Sequence, residues 1–80
     1  MDDSPVLRLE RRDLARNMMR FYALLVTRGL FGEWGLLRVW GRVGEQGQMR
    51  TKWFKTQEEA EAALRKLERS KRRRGYREKQ

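Results

Sequence analysis

The fold is decided by residues 56–67, TQEEAEAALRKL, which have the pattern of a helix start. Thr56 and Glu59 have the spacing of a capping box, in which the Thr hydroxyl accepts from the N3 amide and the Glu carboxylate bonds back. Acidic residues occupy the first turns and cationic residues the later ones, as the helix dipole favours. One narrow apolar stripe recurs with helical spacing: Ala60, Ala63, Leu64 and Leu67. We therefore expect a helix that packs on a sheet and stops at Gly75.

Upstream of the helix, β-favouring segments separated by glycine-containing turns predict a small sheet. We expect strands at residues 6–12, 18–27, 33–43 and 48–54. The expected connections are residues 13–17, a turn at 28–32 and a tight hairpin at 44–47. The predicted fold class is thus α+β, a small antiparallel sheet of about four strands with one C-terminal helix packed on one face.

The chain is strongly basic, and its charge is concentrated at one end. Twenty Lys and Arg against eleven Asp and Glu give a formal net charge of +9. Residues 65–80 hold nine basic and two acidic side chains, a net of +7, so the remainder carries only +2. This distribution is typical of polyanion binders, although a solvated surface alone commonly carries a net charge of about 2–8. With 80 residues we expect a single domain over 1–80, its core at about 6–76 and a basic end at 65–80.

The composition argues against several functional classes. Without Cys or His there is no disulfide, no thiolate chemistry, no Cys/His metal site and no imidazole for acid–base catalysis. No Gly-Lys-Ser/Thr phosphate loop is present, so we expect no enzyme, no cofactor and no metal. No apolar run of about 18 residues occurs, and the start Met1-Asp2-Asp3 is unlike a secretory signal. We expect a soluble cytoplasmic monomer without membrane contact, associated with the nucleoid if bacterial.

The strand predicted at residues 33–43 carries the residues that point to a function. Its side chains alternate between two faces. One set is small and apolar and suits packing under the helix: Leu37, Val39 and Val43, with Gly41 between them. The other set would lie on the opposite face: Leu36, Arg38, Trp40 and Arg42. We therefore expect an indole flanked by two guanidinium groups to face away from the helix.

Such an arrangement suits a chain of phosphates. Guanidinium pairs bidentately with phosphate, and an indole lets a base or sugar stack on it, worth about 1–3 kcal/mol for a base. Two alternatives stay open: Trp40 belongs to the core while its Arg neighbours extend to water, or a cation–π pair forms within the protein. Trp34 lies an even number of positions from Trp40 and would therefore share its face of the strand. Phe54 is expected inside, and Trp53 is left open between core and surface.

Several motifs together resemble the WGR domain. The central one is Trp40-Gly41-Arg42, followed by Val43-Gly44 and by Gly47-Gln48. Upstream, Asn17 and Arg20-Phe21-Tyr22 match the family's asparagine and its basic-aromatic-tyrosine segment. Downstream, the matching features are Phe54, the acidic helix start with Ala60, and the segment from Lys71 to Tyr76. The resemblance covers roughly Leu9 to Tyr76.

The resemblance implies an antiparallel sheet with a helix against it and a role at DNA. WGR domains are modules of DNA-dependent poly(ADP-ribose) polymerases, where they contact DNA at a break, and they also occur in bacterial proteins. By resemblance, Trp40 packs against a sugar or exposed base, Arg42 contacts phosphate or a partner domain, and Gly41 lets the nucleic-acid backbone approach. The 80 residues leave no room for a transferase domain, so we do not expect the polymerase activity to carry over.

The sequence thus predicts a non-catalytic module that binds nucleic acid, DNA rather than RNA, with ends or nicks as candidate targets. The predicted binding residues are Trp40, Gly41, Arg42, Arg38, Arg50, Lys52, Arg72, Arg73 and Arg74. For Arg50 and Lys52 the alternative is a solvated edge strand. The competing function is a protein–protein interaction adaptor that uses the same Trp and Arg face, because these residue types are also enriched at interface hot spots.

Overall fold

Residues 6–78, the part of the chain that the computed structural model describes, form one antiparallel sheet of five strands with one α-helix packed on it. The elements are β1 (Leu7–Asp13), a 3-10 turn (Leu14–Arg16), β2 (Met18–Arg28), β3 (Trp34–Arg42), β4 (Gln48–Phe54), α1 (Gln57–Arg73) and β5 (Arg77–Glu78). The strands lie in the order β4-β3-β2-β1-β5. The α+β class is confirmed. The predicted start Met1-Asp2-Asp3 and the basic Lys79 lie outside the described residues.

The fifth strand is the main departure from the expected architecture. β5 pairs with β1 through Leu9↔Glu78 and Glu10↔Arg77, so the sheet has five strands rather than about four. A two-residue strand has no alternation to detect, which is why periodicity misses it. The pairing returns the chain to the sheet after the helix. The basic end at 65–80 is therefore helix and strand over most of its length.

The helix begins and ends as its sequence predicts. The Thr56 hydroxyl accepts from the Glu59 amide at 3.1 Å, and the Glu59 carboxylate accepts from the Thr56 amide at 3.2 Å. At the other end Gly75 has a φ of +96°. The Gly75 amide donates to the Arg72 carbonyl, and the Tyr76 amide to the Lys71 carbonyl, both at 3.1 Å. This is a Schellman motif, which requires the positive φ that glycine accepts.

The core lies between α1 and the sheet face that we call the helix face. Its buried members are Leu9, Tyr22, Leu24, Val26, Leu36, Ala60 and Tyr76. The stripe of Ala63, Leu64 and Leu67 packs against them, as do Phe54 and Trp34. Phe54 is thus inside as predicted, whereas the neighbouring Trp53 keeps 54% of its surface exposed. No helix within residues 6–78 combines the length and the apolar character that crossing a membrane would need.

The predicted division of β3 between the two faces is wrong. The register pairs Leu36 with Val26, Arg38 with Leu24 and Trp40 with Tyr22, and cross-strand partners share a face. Since Val26, Leu24 and Tyr22 belong to the core, the set with Arg38 and Trp40 lies on the helix face. The other face, which we call the open face, receives the apolar set. Its members in the central strands include Ala23, Leu25, Leu37 and Val39.

Candidate nucleic-acid interface

Successive rows of side chains cross the helix face toward the C-terminal end of α1. Arg11, Arg20 and Arg42 form the outermost row, because Arg20 is the cross-strand partner of both other residues. Tyr22 and Trp40 form the next row, and Arg38 pairs with Arg50 in the third. The register of four strands thus collects cations from distant parts of the sequence on one side of the sheet, where the covering helix ends.

Aromatic rings form the floor of this region. The rings of Tyr22 and Trp40 are stacked, with centroids 5.9 Å apart and planes inclined by 19°. Tyr76 meets Tyr22 edge-on at 6.3 Å. Tyr22 and Tyr76 are buried, whereas Trp40 is only partly buried. Trp40 is therefore anchored to the core through one ring neighbour and still borders a cleft, so it is neither the free outward indole of the prediction nor a sealed core residue.

The cleft beside Trp40 has a volume of about 590 Å³ and a strongly one-sided charge. We call it the cationic cleft. Its cationic lining residues are Arg11, Arg20, Arg38, Arg42, Arg50, Lys71 and Arg74. Among residues 6–78, no Asp or Glu lines it. Seven cations without a carboxylate create a field that attracts an anion with several charges.

Lys71 is a partly buried cation that lies close to other cations of the cationic cleft. Its ammonium lies 4.4 Å from the ring centroid of Tyr22 and 5.8 Å from that of Tyr76. Partial burial lowers the pKa of Lys71 below its ordinary value, and the neighbouring charges of Arg74 and Arg38 lower it further. The cation–π contacts offset part of the free energy that desolvation and charge repulsion cost at Lys71. An anion bound in the cleft would reduce the remaining repulsion.

Arg38 lies at the inner end of the cleft with an unmet hydrogen bond. Its Nε is buried and has no hydrogen-bond partner within the described chain. The guanidinium carbon lies 5.7 Å from the ring centroid of Trp40. A buried donor without an acceptor costs about 1–3 kcal/mol. The guanidinium of Arg38 thus borders the cleft while its buried Nε has no acceptor among the described residues.

Position 41 requires glycine because the protein's own backbone packs against it. A Cβ at Gly41 would lie 2.7 Å from the Cα of Gly47, which belongs to the hairpin between β3 and β4. Gly47 itself has a φ of +77° and would clash with the Trp40 carbonyl if it carried a Cβ. The backbone that approaches Gly41 in the structure is therefore the protein's own. This contact folds the hairpin against Phe21 on the open face.

The structure brings together most of the predicted binding residues. Six line the cationic cleft: Trp40, Gly41, Arg42, Arg38, Arg50 and Arg74. Lys52 lines a neighbouring groove and lies 5.5 Å from the Phe54 ring. Arg72 is held by Glu68 and Glu78 at 2.8 and 2.7 Å, which raises its pKa, and Arg73 is exposed outside the cleft.

Three cations and three aromatic residues of the cleft are absent from the predicted binding set: Arg11, Arg20, Lys71, Phe21, Tyr22 and Tyr76. A signal existed for Lys71, because it lies four residues after Leu67 and so continues the apolar stripe of α1. Arg11 has the parity of the buried Leu9. Parity alone does not show, however, which strand lies beside which, and that pairing is what joins Arg11 to Arg20 and Arg42. Within residues 6–78, no three acidic side chains gather to hold a metal ion.

The sequence is similar to that of a Sinorhizobium fredii protein named "Uncharacterized protein y4dW", with 48% identity over 71 residues. The aligned region is 89% of this chain and 35% of that protein, so the chain spans about a third of the relative's length. No solved structure gives a significant match. The WGR domain family matches residues 6–80. The chain therefore belongs to the WGR domain family, whose members are small modules known in general to bind nucleic acid.

Proposed function

We propose that this protein is a non-catalytic module that binds DNA, in preference to RNA, through the cationic cleft. The observation that carries the proposal is the cleft lining, in which seven cations and no carboxylate of the described residues surround a stacked pair of aromatic rings. Phosphate is the anion that such a lining suits, because several charges can be neutralised at once. The family membership supports nucleic acid as the source of that phosphate.

The residues divide by chemistry into two groups. In the proposal, Arg20 and Arg42 contact phosphates at the outer row, since guanidinium binds phosphate through two parallel hydrogen bonds. The exposed part of Trp40 packs against a sugar or a terminal base, a contact that needs an unstacked or broken site in the duplex. This division favours ends and nicks over continuous duplex, because an intact duplex offers no free base face.

Arg50, Arg74 and the missed cations would add to the phosphate contacts. Lys71 gains most from a bound phosphate, because the anion replaces the repulsion from Arg74 and Arg38 with attraction. Arg72 contributes little in this proposal, since Glu68 and Glu78 already neutralise it. The predicted contribution of the three consecutive Arg residues is thus assigned mainly to Arg74.

The test measures affinity for labelled blunt, nicked and intact duplexes and an RNA hairpin at several salt concentrations. The double variant Arg20→Gln/Arg42→Gln should weaken binding and lower the salt slope by about two, because each lost phosphate contact removes about 0.9 from it. The matched control, Arg65→Gln/Arg73→Gln, removes the same charge from exposed positions outside the cleft. Equal losses in the two double variants would contradict the proposal and leave only nonspecific attraction.

A pull-down experiment distinguishes DNA binding from the adaptor hypothesis. A protein partner captured from a nuclease-treated lysate, with loss of that partner in Trp40→Ala and no measurable DNA affinity in the wild type, would replace nucleic acid with a protein ligand. We expect the opposite, with DNA retained on the purified protein until nuclease or high salt removes it.

A further inference from the structure

A second groove lies beside the cationic cleft, between α1 and the strands β3 and β4. We call it the side groove. Its volume is about 370 Å³, and its polar lining consists of Arg38, Lys52, Lys66 and Ser70. Its floor is apolar, with Leu36 from the sheet and Leu67 from the helix. No carboxylate of the described residues lines it, so the side groove has the same sign of charge as the cleft.

Arg38 joins the two spaces, because it lines both of them. On the sheet wall, cationic positions run from Arg42 through Arg38 to Lys52, which pairs with Leu36. Arg42 lies six positions after Leu36 along β3, a length of about 20 Å. On the helix wall, cations run from Arg74 to Lys66, a rise of about 12 Å. The two walls therefore border one continuous basic path.

The dimensions and chemistry of this path select its occupant. A duplex is far wider than a groove of this volume between a helix and a sheet, whereas a single strand is a thin chain with one phosphate per nucleotide. Lys52 and Lys66 stand on opposite walls and match phosphates, and the partly buried Ala63 and Leu67 offer apolar contact to a base or sugar. Arg38 lines both spaces, so its guanidinium lies at their junction and can donate to a ligand oxygen there; its Nε is buried and has no hydrogen-bond partner among the described residues.

We propose that the side groove binds the single-stranded extension of a DNA end whose duplex part lies at the cationic cleft. The strand passes Arg38, which donates to a phosphate or base oxygen, and continues between Lys52 and Lys66. This inference rests on the proposed function and adds to it a preference for ends with single-stranded extensions. Ser70 supplies a hydroxyl at the same groove for a further phosphate oxygen or base edge.

The test compares one duplex with blunt ends and the same duplex with extensions of three and six nucleotides at either the 3′ or the 5′ end. We expect the wild type to bind one of the extended forms about tenfold more tightly than the blunt form. The double variant Lys52→Gln/Lys66→Gln should lose this gain, whereas its blunt-end affinity should fall only by the small factor that the loss of two charges causes in the control variant. The control variant Arg65→Gln/Arg73→Gln should lower both affinities by the same small factor.

Lys66→Gln alone guards against a folding effect, because Lys52 also lies over the Phe54 ring and contributes to packing. It should reduce the gain while thermal unfolding stays at the wild-type temperature. Blunt-end binding without any gain from an extension overturns this inference and leaves the proposed function standing. Equal loss of blunt and extended affinity in Lys66→Gln also overturns it. Absence of binding to every DNA form removes the proposed function and this inference together.

Discussion

Trp34 and Trp40 lie on the same strand and the same face, yet they belong to different regions of the molecule. Trp34 pairs with Phe54 and Arg28 and packs on the core beneath the first half of α1. Trp40 pairs with Tyr22 and Gln48 where the helix ends. Each indole has an Arg guanidinium near its ring, Arg28 at 5.2 Å and Arg38 at 5.7 Å. Strand parity and a cationic neighbour are therefore common to both.

The difference comes from what surrounds each indole. Apolar residues of the α1 stripe cover the region of Trp34, whereas the region of Trp40 is bordered by Lys71 and Arg74. One amphipathic helix thus covers the core with its first half and supplies cations with its last turns. The lesson is that an aromatic residue becomes a candidate contact for a ligand through the charge and coverage above it. Pairs of variants, one in the region of Trp34 and one in the region of Trp40, test this directly.

The largest expected effect compares Leu36 with Arg38. Leu36 is 2% exposed in the core, so Leu36→Ala should lower the free energy of unfolding by about 2–5 kcal/mol. Arg38→Met removes a buried donor without a partner and should raise that free energy by about 1 kcal/mol while DNA affinity falls. Chemical denaturation measures both. A destabilised Arg38→Met protein would mean that the guanidinium supports the fold instead of awaiting a ligand.

The next comparison exchanges each indole for a smaller apolar side chain. Trp40→Leu should weaken binding to DNA ends by about 1–3 kcal/mol through lost stacking, with a smaller change in stability. Trp34→Leu should lower stability and leave the affinity of the folded protein unchanged. Titrations at a temperature where both variants stay folded provide the measurement. Similar losses of affinity in the two variants would contradict the conclusion that only Trp40 borders a ligand site.

Gly35 and Gly41, which follow Trp34 and Trp40, allow the same two regions to be compared through alanine substitutions in the backbone of β3. Gly41→Ala places a methyl group 2.7 Å from the Gly47 Cα, so the hairpin must shift, at a cost of about 1–3 kcal/mol. Gly35→Ala meets only side-chain atoms of Trp53 and Thr51, at 2.9 and 3.1 Å. Because an exposed indole can move aside, the Gly35 variant should lose less stability. Thermal unfolding of the two variants checks the order, which equal losses would contradict.

The smallest effect concerns the pH dependence of stability at Lys71. Its pKa is lowered in the folded protein, so the unfolded chain binds more protons between that lowered pKa and 10.5. The cost is therefore fully present below the lowered pKa, and the stability contributed by this group should rise as the pH increases through that window. Lys71→Gln removes the titrating group. Unfolding temperatures from pH 7 to about 11 should rise more for the wild type than for Lys71→Gln; parallel curves would contradict the assignment.

Local features of this fold are predictable from sequence because each depends on residues close together in the chain. Thr56 and Glu59 form the predicted capping box, and Gly75 ends the helix as expected. The assignment of β3 to its faces fails for a physical reason. Alternation separates Leu37 from Arg38 without showing which of them the helix covers. Apolarity is a poor guide here, since a single helix leaves one face of the sheet open.

The composition of the cleft was beyond local patterns for the same reason. Arg11, Arg20 and Arg42 form a row only because β1, β2 and β3 pair in this register. The motif of Trp40 to Arg42 locates the region through resemblance, but the resemblance assigns Gly41 to a ligand where the structure shows Gly47 against it. Sequence therefore predicts which segment of β3 borders the cleft better than it predicts the neighbours of each residue there.

Tyr76 has a practical consequence for how the basic end should be dissected. This ring is 8% exposed, packs edge-on against Tyr22 and immediately precedes β5. Cutting the chain after Arg73 would remove an aromatic side chain from the centre of the protein along with the charges of Arg74 and Arg77. Failure of such a shortened protein to bind would report unfolding as readily as lost charge. Neutralising individual cations without shortening the chain keeps the two causes apart.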